Sequence, residues 1–395
     1  MSNGPFSTIA AVVLLAAFAG TPCGAAPDPK EEPQLMSRSE LASFQSRLLS
    51  ATTKHLDSLI ASNGKVVALK GKSSVSTTAF AFYLAFELTG NSNYRAAAVE
   101  LADRVLADMK AAKFGVLYIK EKEKSTGENI AGGGPPAFGW YVSHLAYIYH
   151  KEGGREEDLK YIAGVLDKFP WNEEGWWSAD IDVNTGISKQ PLSKPSPINK
   201  TASVAMAAGM VSEYVKEIDP VLSERLKRKA DRCIYKQIIP AQEADGFWHY
   251  GLTGNDPKNK DVLGYFMLTT TVLLQLQQFT HSYRDQAFNS ALEKAGTFAF
   301  KSIAPITDPN RGSTPAPHTT ASTPSHFSAR DDSKRGFSLG AILFSRQDYT
   351  EGARIIDTAA RYFPYGNAGE DGAHAVYPST LILLRLHREM SQSVR

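Results

Sequence analysis

The chain has 395 residues, with 43 Lys and Arg against 41 Asp and Glu and a formal net charge of +2. That balance excludes the strongly basic profile of a nucleic-acid binder. Two cysteines exclude a disulfide framework, so stability has to come from the size of the core.

In chain order, residues 1–25 come first. An apolar run from Ile9 to Gly20 followed by small residues has the layout of a secretory signal peptide, too short to span a bilayer. The opening residues carry no Lys or Arg, and Pro22 directly before Cys23 fits a lipoprotein anchor poorly. Residues 26–36 read as a disordered spacer, and 37–395 as one domain. The expected location is periplasmic or extracellular. No later run is apolar enough for a transmembrane segment.

Periodicity then predicts twelve helices, at 38–63, 73–89, 91–112, 135–151, 154–168, 198–217, 219–237, 261–281, 284–301, 334–346, 349–363 and 374–391. The strand candidates are short: 65–69 and 115–120. Helices alternate in character. "SNYRAAAVELADRVLADMKAA" and "DPVLSERLKRKADRCIYKQ" carry one polar face, as an outer layer does. "TTAFAFYLAFEL", "FGWYVSHLAYIY", "TASVAMAAGMVSEY" and "LGYFMLTTTVLLQL" are apolar nearly all round and have to be buried. Connections from apolar to amphipathic helices are tight. The return connections, 113–134, 169–197, 238–260 and 302–333, are long, which in a domain with one core points to function.

This all-α pattern resembles the six-hairpin (α/α)6 toroid shared by many glycoside hydrolases and polysaccharide lyases, over about residues 36–392. The resemblance rests on helix count, alternation and loop asymmetry, and matches no one family's catalytic signature. It implies a substrate funnel at the rim carrying the long loops. An open helical solenoid is the alternative architecture.

All five tryptophans fall in or beside the residues expected on that rim. Trp140, Trp176, Trp177, Trp248, Tyr250 and Tyr377 offer flat faces for sugar rings, so "DGFWHYG" (245–251) is expected to line a cleft wall. The competing reading packs Trp176-Trp177 and Phe247-Trp248 as plugs between loops and helices. Asn199, Lys200, Arg330 and Arg335 are expected to hold an anionic substrate, Asn199 at the start of a helix where the dipole favours negative charge.

Two chemistries fit. Elimination on a uronic acid needs a His or Tyr base, a group that neutralises the carboxylate, and an acid for the leaving oxygen; His249, Tyr265 and His374 are the candidates. Hydrolysis needs paired carboxyl groups, with Asp261 and Asp371 foremost among Asp180, Asp182, Asp245, Asp261, Asp332 and Asp371. The cationic rim favours elimination on an acidic polysaccharide or oligosaccharide; a glycoside hydrolase of the same fold is the alternative, and a non-catalytic glycan-binding protein the reading from another class. No cofactor is expected, save that Asp180 and Asp182 alternate as calcium ligands would, without the full spacing of an EF-hand. His144 reads as a core histidine.

Overall fold

The structure is a computed structural model that describes residues 36–395 except 68, 70–71, 117–118, 123–128, 133–134, 179, 183–184, 190, 194, 251–261, 305–332, 363–369 and 393–395. For residues 72–74, 119–122, 129–132, 135–137, 262, 333–335, 361–362, 370–377 and 390–392 it describes the backbone alone.

Among the described residues there are twelve α-helices. Six are the apolar ones: α2 (Lys72–Thr89), α4 (Pro135–Glu152), α6 (Ile198–Tyr214), α8 (Val262–Phe279), α10 (Ser333–Ser345) and α12 (Glu370–Gln392). Each packs on the next, and α12 packs back on α2, so they form a closed inner ring. The open solenoid is therefore excluded. The amphipathic helices α3 (Ser92–Ala111), α5 (Glu156–Lys168), α7 (Pro220–Cys233), α9 (Gln286–Phe298) and α11 (Tyr349–Tyr362) each pack on the inner helix before them. The sixth outer helix, α1 (Arg38–Ser58), packs on α12 and completes the set of hairpins. The fold is an (α/α)6 toroid.

Local chemistry sets the helix starts. Ser37 forms a capping box: its hydroxyl accepts from the Glu40 N–H and Glu40 accepts from the Ser37 N–H at 2.8 Å. Asp219 accepts from the Leu222 N–H at 2.9 Å with Pro220 in the first turn of α7, and Asp285 caps α9 through Ala287 and Phe288. α1 stops at Ser58, five residues short of the expected end, because Ile60 turns to pair with Val66. α7 and α9 each run on into a π-turn, Ile234–Ile238 and Ala299–Ile303, just before a long connection. Among the described residues the one sheet is a hairpin between α3 and α4, with β1 (Ile119–Lys122) antiparallel to β2 (Asn129–Gly132).

The described chain keeps the expected asymmetry: the short connections 90–91, 153–155, 215–219, 280–285 and 346–348 join helices at one rim, and the long connections after α3, α5, α7 and α9 leave from the other. The lumen between the rims is filled. Phe80 stacks on His144 at 4.5 Å and meets Tyr147 and Phe279 edge-on at 5.2 and 5.3 Å. Gln275 on α8 reaches Ser143 on α4 at 3.4 Å. This plug makes the inner ring a cup with a floor, not a pore.

The floor has a pH signature. Burial holds His144 neutral and its pKa down to about 3, and burial lowers His55 and His150 as well. A histidine whose folded pKa lies below its unfolded value stabilises the fold above about pH 6.5 and withdraws that support as pH falls. From His144 alone, unfolding free energy is expected to drop by about 2 kcal/mol between pH 6.5 and 4.5, because the unfolded imidazole is already half protonated at about 6.5 and the full 1.36 kcal/mol per unit applies only below that. Denaturant titrations of His144→Phe across this range should be flatter than wild type by that amount. Equal slopes would mean that His144 takes up a proton without unfolding. The depressed carboxylates Asp158, Asp167 and Asp285 act below this window.

Candidate functional site

The long-loop rim is assembled around the first turns of α4, α6 and α8. Connection 169–197 docks on α6: the Trp177 N–H donates to Thr201 Oγ1 at 3.2 Å, and Ser196 Oγ donates to the Trp177 carbonyl. Residues 239–250 are pinned beside it, where the Ile198 N–H donates to the Tyr250 carbonyl at 2.9 Å. This bond brings Tyr250 to the N-terminus of α6, next to Asn199 and Lys200.

The segment 243–250 is a tight turn followed by an extended run. The Glu243 N–H donates to the Phe247 carbonyl at 2.8 Å, Asp245 Oδ1 takes the Phe247 N–H at 3.1 Å, and Gly246 sits at φ +101°. Only glycine fits there: a Cβ would lie 2.2 Å from the Lys294 carbonyl of α9. Phe247 stacks on Phe266 at 5.3 Å, and Trp248 donates its indole N–H to the Ile238 carbonyl at the end of the π-turn. Both rings are 0 % exposed. The expectation that this stretch lines a cleft wall is therefore corrected for Phe247, which packs between Phe266 of α8 and Phe298 of α9, and for Trp248, which packs between Phe266 and the Ile238 end of the π-turn.

Trp176 and Trp177 are corrected in the same way, at 3 % and 0 % exposure. The Lys229 ammonium of α7 lies 5.6 Å from the Trp171 ring and 5.8 Å from the Trp177 ring, and pairs with Asp167 Oδ1 at 2.9 Å. Trp171 and Trp177 flank this nearly buried cation, and the buried rings of Trp176 and Trp177 present no face to a cleft.

Four of the expected residues remain half-buried: Trp140 in the second turn of α4, Lys200, Tyr250 and Tyr265. The rings of Tyr250 and Tyr265 lie 4.3 Å apart. His249, also half-buried, holds Nε2 at 3.5 Å from Glu243 Oε1. Asn199 is 2 % exposed, and its Oδ1 is buried without a hydrogen-bond partner. Reading the sequence missed Glu243. Its signal is the turn itself, since "EADGF" doubles back and sets Glu243 against the residues after it.

The aspartates divide. Asp180 Oδ2 lies 3.8 Å from the Lys189 ammonium, Asp182 takes the Thr185 N–H at 3.3 Å, and Asp245 holds its own turn. The 169–197 loop thus uses Asp180 and Asp182 internally, and the described residues include no group of three His, Cys, Asp or Glu that could hold a metal ion. Asp261, Arg330 and Asp332 lie outside the described residues. Arg335 falls in the first turn of α10, and Asp371, His374 and Tyr377 in the first two turns of α12, with side chains outside the description. Cys233 faces Thr201 at 3.3 Å, and burial pushes its thiol up to about 12, so it is unreactive in the folded chain.

No protein-family model matches the chain, and a comparison with curated protein sequences finds no match. Solved structures do match. Cellobiose 2-epimerase from Bacillus thermoamylovorans B4167 is 12 % identical with a TM-score of 0.59, over 89 % of this chain and 100 % of that one. An unsaturated glucuronyl hydrolase specific for heparin is 11 % identical with a TM-score of 0.54, over 89 % and 98 %. The chain shares the six-hairpin toroid fold of these enzymes. Within the toroid the long-loop rim holds His249, Glu243, the tyrosine pair, Asn199 and Lys200. No described helix is long and apolar enough to cross a membrane.

Proposed function

We propose that this protein is an exported carbohydrate-active enzyme that cleaves a uronic-acid-containing saccharide by β-elimination at the long-loop rim. The observation that carries the reading is His249, half-buried, with Glu243 at 3.5 Å and the Tyr250–Tyr265 pair on the neighbouring strand of loop and first turn of α8. A carboxylate that orients an imidazole is the usual support for a general base. His249 takes the proton alpha to the uronate carboxyl. The electron pair left on that carbon forms the double bond as the adjacent glycosidic C–O bond breaks, and a tyrosine hydroxyl protonates the leaving oxygen. Lys200 and the N-terminus of α6 face the uronate carboxylate. The buried, unmet Oδ1 of Asn199 is a group that a substrate hydroxyl satisfies.

Hydrolysis is the second reading, favoured by the shared fold of the heparin-specific glucuronyl hydrolase. It falls to Asp261, Asp332 and Asp371, because Asp180, Asp182 and Asp245 are engaged in their own loops. Export rests on the signal-like composition of residues 1–25.

The test is incubation of residues 27–395 with acidic and neutral polysaccharides and their oligosaccharides, with products weighed by mass spectrometry. Elimination gives fragments with an unsaturated end and no added water. His249→Ala should then lose about 10²–10⁴-fold in turnover while still binding substrate. Glu243→Gln, a positioning change, should lower kcat with KM nearly unchanged. Fragments that carry one added water overturn elimination and move the chemistry to the aspartates. An uncut panel overturns the enzyme reading in favour of a glycan-binding protein.

A further inference from the structure

The opposite rim, where the inner helices end in short turns, holds a cavity of about 350 Å³. It lies between the C-terminal halves of α8, α10 and α12, with the start of α9 at its mouth. It is a separate place from the long-loop rim: Tyr265 and Gln278 stand at opposite ends of α8, about 20 Å apart at 1.5 Å per residue.

Its floor is apolar, formed by Leu274, Ala341, Phe344, Leu381 and Ile382. Its charges are Arg284, Arg385 and Arg388 against one acid, Glu389. Glu389 is fully engaged, with Oε1 on Arg385 at 2.8 Å and Oε2 accepting from the Tyr349 hydroxyl at 2.7 Å. The neutral donors are engaged as well. Gln277 donates to Asn289 at 2.6 Å, Asn289 to the Arg284 carbonyl at 2.8 Å, and Gln278 to the Leu381 carbonyl at 3.3 Å. The hydroxyls of Thr271 and Ser345 bond back to their own helices.

What the cavity has left to donate is guanidinium N–H. Each arginine carries five. Arg284 gives one to the Thr280 carbonyl at 3.2 Å, and Arg388 gives one to the Gln278 carbonyl at 3.1 Å. Neither meets a carboxylate among the described residues, whereas Arg385 already has Glu389. Two uncompensated guanidinium forks over an apolar floor match a planar anion with a hydrophobic body, the forks pairing with the carboxylate in a bidentate way.

We propose that this closed-rim cavity is a second ligand site, which takes a small organic carboxylate with an apolar body about the size of one six-membered ring. Arg284 and Arg388 bind the carboxylate, and Leu274, Phe344 and Leu381 take the body.

Isothermal titration of the full chain tests it with four probes: cyclohexanecarboxylate, acetate, inorganic phosphate and cyclohexanemethanol. The expected result is that cyclohexanecarboxylate binds at least about tenfold more tightly than the other three, as loss of one charge-assisted pair costs. Arg284→Gln with Arg388→Gln should abolish that preference, and Ala341→Leu, which fills the floor, should weaken it without touching the charges. His249→Ala should leave it unchanged. Tightest binding by phosphate overturns the carboxylate assignment. No binding, or loss of binding in His249→Ala alone, overturns the site and leaves the arginines as partners of helix C-terminal carbonyls only.

Discussion

Trp248→Ala is expected to lower the unfolding free energy by about 3–5 kcal/mol, the range for emptying an aromatic site in a core. The ring is fully buried, stacks on Phe266 at 6.3 Å, and donates to the Ile238 carbonyl at 2.8 Å. Removing it opens a void between α8 and the π-turn that ends at Ile238 and leaves that carbonyl without its partner, and the two costs add. The ring also sits one residue before His249, so its loss unseats the turn that sets Glu243 against the imidazole. The milder change Trp248→Phe should recover much of the packing but not the hydrogen bond. Urea titration of the purified variants measures both. A loss below about 1 kcal/mol for the alanine variant would show that the ring faces solvent or ligand instead.

Gly139→Ala should destabilise by about 3 kcal/mol or more, the upper end for overpacking. At this point α4 and α6 touch: a Cβ on residue 139 would lie 2.2 Å from Ser203 Oγ and 2.3 Å from the Ser203 carbonyl oxygen. A side chain could swing aside, but the carbonyl belongs to the backbone of α6. The helices would have to separate, and the inner ring transmits that shift to its neighbours on both sides. Adding Ser203→Ala should rescue only a fraction, because the carbonyl contact remains. A variant with near-wild-type stability would mean that α4 and α6 sit further apart than described.

The helices were legible because burial all round and burial on one face leave different patterns. "LGYFMLTTTVLLQL" has no polar side to show to water, and "DPVLSERLKRKADR" has one, so their places in the inner and outer rings follow from composition. The tight turns were legible through the Gly and Asp residues that end and cap helices. The tryptophans were not. Their aromatic character suits either a cleft or a core, and a deciding partner is remote: half-buried Trp171 and buried Trp177 pack around Lys229, more than fifty residues later in an outer helix. Phe247 and Trp248 show the same ambiguity. Adjacent residues in an extended run point to opposite sides, yet here both rings are covered, Phe247 by Phe266 and Phe298 and Trp248 by Phe266 and the π-turn at Ile238. Ile60 shows the same limit at the end of α1, where a pairing with Val66 overrides helical periodicity. His249 and Tyr265 were singled out for their chemistry alone; the geometry added Glu243, which reading by residue type had passed over.

The pairing of α1 with α12 has a consequence for how the molecule comes into being. Every other hairpin joins neighbours along the chain and can form as soon as its two helices exist. The last cannot, since one partner is made first and the other last, more than three hundred residues apart. Bringing them together carries the largest loop-closure entropy in the molecule. Until then the apolar sides of α2 and α10 lack their common neighbour. A growing chain therefore stays unfinished, with hydrophobic surface open to chaperones, until almost all of it has been synthesised. Such a chain gains its final stability in one late step, and a shortened version that ends before α12 forfeits the closure of the ring and not merely one helix.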